Sequence, residues 1–151
     1  MKPPLLEFTV NAHEFTHLVF EVKVWRTYNE LQLARARSVR SCRLPPDHAL
    51  VEGFFHTEHR RHCDDLTVGI IHFAKPNLTL NTITHESVHA AVAIATWARP
   101  KSNRLENACV DDERALCLTE IVIEEALASG TAYITERIVH ALRRNRLKIL
   151  P

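Results

Sequence analysis

The sequence predicts an α+β fold, a small antiparallel or mixed sheet followed by helices. Two observations predict it. Runs rich in β-branched and aromatic residues fall before residue 74, and the clearest of them alternates with period two. Beyond that point apolar residues recur at helical spacing, between residues that cap or break helices. The chain has 151 residues, 46% of them hydrophobic. That is enough for one core, so a single domain over 1–151 is expected.

Leu5 to Val10 reads as the first strand, and Phe20 to Trp25 alternates as a half-buried strand should. Tyr28 to Val39 carries Leu31, Leu33, Ala34 and Ala36 and is expected to be a helix. Pro45-Pro46-Asp47 breaks the chain. Val51 to Thr57 is a short strand, and Leu66 to Phe73 a stronger one that, at a sheet edge, could pair with an extended peptide. Asn81 is placed to cap a helix from about Thr82 to Ala98, ending before Pro100. Its stripe of Val88, Ala91, Val92 and Ala95 is expected to face the core. Asn103 and Glu106 resemble a capping box for a helix over about Arg104 to Ala128. Ser129-Gly130 is expected to break it, and Thr131 to Arg146 to form another.

Lys and Arg total 19 against 18 Asp and Glu, so net charge points to neither nucleic acid nor acidic partners. Cys42, Cys63, Cys109 and Cys117 form no Cys-x-x-Cys pair, which suits free thiols in a reducing compartment. Met1-Lys2-Pro3-Pro4 leads into a strand pattern rather than a secretory signal, and no apolar run has membrane-spanning length. A cytoplasmic protein without membrane contact is the expectation.

The chemistry concentrates in His85-Glu86-Ser87-Val88-His89-Ala90. Residues four apart on a helix lie one above the other. His85 and His89 can therefore offer two imidazole nitrogens to one zinc ion, while Glu86 serves as general base to a water on it. A catalytic zinc takes a third protein ligand. The acids that follow include Asp112, Glu113 and Glu120. Asp112 falls within the apolar stripe of its helix and the two glutamates at the edge, where an unpaired carboxylate costs desolvation.

Strands, a His-Glu-x-x-His helix, a connection and a helix with an acidic ligand together resemble the small gluzincin architecture. The ImmA/IrrE-type peptidases of phage and bacterial repressor systems share it, as do short phage-encoded zincin-like proteins in which an Asp-Glu pair opens the second helix. Here those features are His85 to Ala90 and Asp112-Glu113. The resemblance covers about residues 65 to 130. It implies zincin-type helices, zinc ligation by His85, His89 and Glu113, Glu86 as base, and peptidase activity on one specific protein or peptide substrate, of phage or mobile-element type. No helix-turn-helix or sensor segment accompanies it.

Such a site needs a further donor for the developing oxyanion, for which Tyr133, His140 and His72 are available. His56, His59 and His62 lie three apart, but their stretch is polar throughout and reads as a solvated loop rather than a second metal site. Arg26, Arg35, Arg37, Arg40 and Arg43 gather early, and Arg137, Arg143, Arg144, Arg146 and Lys148 late. If the two groups met they would offer a phosphate-binding face, though ordinary solvated helix faces are the simpler reading. The alternative to an enzyme is a non-catalytic protein-binding protein, defence-inhibiting or regulatory, on a zincin-like scaffold.

Overall fold

The computed structural model describes residues 2–12, 18–39, 52–62, 65–98 and 113–151. The order is β1 (Leu6–Asn11), β2 (Leu18–Trp25), α1 (Tyr28–Val39), β3 (Gly53–His62), β4 (Asp65–Ala74), α2 (Leu80–Ala98) and α3 (Glu113–Arg144). The strands form one mixed sheet in the order β1-β2-β4-β3. Its outer pairs are antiparallel and its central pair, β2 with β4, is parallel. The α+β class read from the sequence is the class observed.

Alternation along the strands separates two faces. Leu18, Phe20, Val22 and Val24 of β2 join Ile71 and Phe73 of β4 on one of them. Ile83, Ala90 and Ala91 of α2 and Ile134, Ile138 and Leu142 of α3 close this main core. A fully buried side chain of this size contributes about 1.5–3 kcal/mol. The opposite face carries Trp25 and Ala74, covered by Leu31 and Ala34 of α1. Thr27 starts α1: its hydroxyl accepts the Glu30 N–H at 3.2 Å, and the Glu30 carboxylate accepts the Arg26 N–H at 3.0 Å.

Several expectations are corrected. Helix α2 is capped by Thr79, whose Oγ1 accepts the Thr82 N–H at 3.0 Å, while Asn81 lies exposed in the first turn. Its buried face is Ile83, Glu86, Ser87, Ala90 and Ala91; Val88 and Val92 are 44% and 45% exposed. Close approach decides this rotation. A Cβ on Gly53 would lie 3.2 Å from Glu86 Cγ, whereas one on Gly130 would meet Ala91 Cβ at an ordinary 3.6 Å. Helix α3 runs unbroken through Ser129 and Gly130, and no glycine takes positive φ. It ends at Arg146, at φ 57, where the Leu147 N–H bonds back to the Leu142 carbonyl at 3.0 Å. Asn103 and Glu106 lie outside the described residues.

The polar stretch Thr57 to His62 is strand rather than loop. Its pairing with β4 outweighs composition, with a register irregularity between Thr57 and Arg60. Strand β4 is interior, so its backbone is already paired on both sides; the edges are β1 and β3.

Candidate functional site

Helix α2 lifts His85 and His89 onto its exposed side and turns Glu86 inward, 4% exposed. The two Nε2 atoms lie 3.3 Å apart and the rings stand at 82° to one another, centroids 4.9 Å apart. Two nitrogens bound to one tetrahedral zinc, each at about 2.0–2.1 Å, would be separated by about 3.3–3.4 Å. The pair, within hydrogen-bond distance, thus also has the separation that two ligands of one such ion require. Partial burial, with His85 beside it, lowers the pKa of His89 and favours the neutral form that ligates metal.

Glu86 is held between α2 and the edge of the sheet. Its carboxyl accepts the backbone N–H of Phe55 in β3, while Oε2 is buried without a hydrogen-bond partner. Burial raises its pKa to about 7, and the Phe55 hydrogen bond offsets part of that rise. The close contact depends on Gly53, where a side chain would press on Thr82 Cγ2 at 3.1 Å as well as on Glu86. Below it, the Thr82 hydroxyl donates to Glu52 Oε2 at 2.9 Å and ties the start of β3 to the first turn of α2.

Asp112 lies outside the described residues, and the side chains of Glu113 and Glu120 are likewise outside them. Among the described residues no group of three His, Cys, Asp or Glu could hold a metal ion. The backbone of α3 constrains its acids. The chain returns after α3 so that the Leu150 N–H bonds to the Leu78 carbonyl, just before α2, which makes the two helices antiparallel. At 1.5 Å per residue a straight α3 carries Glu113 roughly 25 Å along its axis from the Gly130–Ala91 contact, away from His85 and His89.

The three oxyanion candidates are not brought to this pair. His72 is buried beside Trp25 and Phe54, on the face that α1 covers; its ring stacks on Phe54 at 4.2 Å and its Nδ1 accepts the Trp25 Nε1–H at 3.1 Å. Tyr133 and His140 line a cleft against β1 on the far side of α3 from α2. His59 and His62 have side chains outside the described ones; His56 stacks on His72 at 5.1 Å, near-parallel at 25°, a poor arrangement for sharing one ion. The arginine groups do not form one face: α1 and α3 pack on opposite faces of the sheet, and Arg40 and Arg43 lie outside the described residues. No residue signal in the sequence marked Gly53 or Phe55 as partners of Glu86. No helix among the described residues is long and apolar enough to cross a membrane. The chain matches no protein-family model, no curated protein and no solved structure.

Proposed function

We propose that this protein is a zinc-dependent peptidase acting on a protein or peptide substrate. The observation that carries the reading is the pair of Nε2 atoms at zinc-ligand separation, with a buried, partly unpaired carboxyl on the next residue. Zinc bound there would polarise a peptide carbonyl and lower the pKa of a coordinated water. His85 and His89 would hold such an ion. Glu86, whose buried Oε2 has no hydrogen-bond partner, would take a proton from a water admitted to it and return it to the leaving amine. A carboxyl titrating near 7 suits both directions of transfer at neutral pH. The Phe55 N–H fixes the other side of the carboxyl group. The third ligand that the resemblance implies, Glu113, reaches the pair only if α3 bends back before Gly130.

Purified protein is expected to hold about one zinc per chain, and His85→Ala or His89→Ala to lose it. Glu86→Gln should keep the zinc and the fold and lose cleavage of the true substrate by about 10²–10⁴-fold. Protein that contains no metal and takes up none on titration would end the reading. Comparing zinc affinity in Glu113→Ala and Glu120→Ala tests the third ligand: loss on Glu113→Ala alone places it there, and equal small effects remove it.

A second reading rests on the stripe His85, Val88, His89 and Val92. Both valines are exposed, and the spacing makes one continuous apolar and imidazole face. Such a face suits a non-catalytic protein that occupies a partner. Full biological activity of zinc-loaded Glu86→Gln would select this reading.

A further inference from the structure

We propose that the cleft between the outer edge of β1 and the C-terminal half of α3 binds an acidic peptide in extended conformation. The cleft has a volume of about 600 Å³, and its walls include Thr9, Asn11, Tyr133, Arg137, His140 and Arg144. It lies along β1, at the opposite edge of the sheet from β3 and Glu86, so the inference is independent of the zinc reading.

Charge selects the ligand first. Arg137, His140 and Arg144 stand in a row on one side of α3, and among the described residues no carboxylate lines the cleft. Among the described residues the ion pairs are made by Lys23, with Glu7 and Glu21, and neither arginine takes part. The Arg137 guanidinium sits 5.0 Å over the Tyr133 ring, which orients it without neutralising it. Two guanidinium groups can each grip a carboxylate in bidentate fashion.

Backbone geometry then selects the conformation. The Ala12 N–H donates to the Leu18 carbonyl at 2.9 Å. In the antiparallel register this makes Val10 with Phe20, and Phe8 with Val22, the mutually bonded pairs. The backbone N–H and carbonyl of Thr9 therefore point away from β2, toward the cleft that Thr9 lines. A peptide laid beside β1 pairs with these groups and sets acidic side chains toward α3. The arginine row spans about 10 Å, the length of about three extended residues. Nucleic acid would use the arginines but has no ladder of its own to pair with the strand edge, which favours the peptide.

The test is fluorescence anisotropy with a short labelled peptide alternating Asp and Thr. Saturable binding is expected, at least about tenfold weaker to the doubly substituted Arg137→Ala, Arg144→Ala protein. Both side chains are exposed, and circular dichroism verifies that this variant folds. N-methylation of alternate peptide nitrogens should weaken binding by a similar factor, whereas His85→Ala should leave it unchanged. The proposal is overturned by absence of saturable binding, by indifference to N-methylation, or by tighter capture of a single-stranded oligonucleotide on the same two arginines.

Discussion

Glu86 is built against its own ionisation. An ordinary glutamate titrates near 4.5, and burial between α2 and β3 moves this one to about 7. The raised value means that it supports folding below pH 4.5 and that this support is lost as pH rises through 7. In metal-free protein at pH 8 the ionised group costs roughly 3 kcal/mol. Glu86→Gln should therefore unfold at higher urea than the metal-free parent at pH 8, and at nearly equal urea at pH 4. Identical midpoints at pH 8 would mean that the carboxyl is solvated. His72 behaves in the opposite sense. Burial, with His56 and Lys23 nearby, lowers its pKa to about 2. Its stabilising neutral form is fully present above pH 6.5, and stability drains away as pH falls toward 2, by up to about 1.4 kcal/mol per pH unit. His72→Phe keeps a ring on Phe54 and loses the Trp25 hydrogen bond. It should cost about 1 kcal/mol at pH 8 yet show a shallower loss of stability between pH 6 and 4. Parallel curves for the two proteins would refute the account.

Among the elements, α3 offers the sharpest experiment. Gly130 sits in mid-helix, where glycine costs about 0.5–1 kcal/mol relative to alanine. A Cβ there meets Ala91 at an ordinary contact distance. Gly130→Ala should thus stabilise the protein by up to about 1 kcal/mol in urea unfolding; a loss would indicate that the helix does break at this point. The sequence favoured a break because Ser129-Gly130 has the composition of one, and a glycine that admits a neighbouring helix looks the same in one dimension as a glycine that ends its own. A similar degeneracy hid the rotation of α2. Val88 and Ala91 both fit an apolar stripe, but the close approach of Glu86 to Gly53, distant in sequence, favours the rotation that turns Ala91 inward. The strands were more legible because period two shows within six residues, as in Phe20 to Trp25. The histidine pair was legible because helical spacing alone brings it together. Polar Thr57 to His62 was not, since membership of an edge strand is decided by its neighbour β4.

Across the whole molecule, the C-terminal tail closes what the helices begin. Leu147 and Ile149 pack on the main core, and Leu150 bridges beside Thr79 at the start of α2. Removing residues 147–151 should cost roughly 2–4 kcal/mol through lost apolar burial, measured by urea unfolding, and should loosen the α2 turn that carries Thr82; no change would mean that the tail is only laid on the surface. The sheet order carries a consequence of another kind. Strands β3 and β4 pair with His62 opposite Asp65, and β1 pairs with its neighbour β2. The seam between these two hairpins is the parallel pair that sets Leu18 against Leu66. Each hairpin can form early from local contacts, whereas the seam must close a long loop before any of its hydrogen bonds compensates. Docking of the two halves is then the slow event in folding. Until it occurs, the inner edges of β2 and β4 stand open to the same edges on other chains, so the yield of refolded protein falls as its concentration rises.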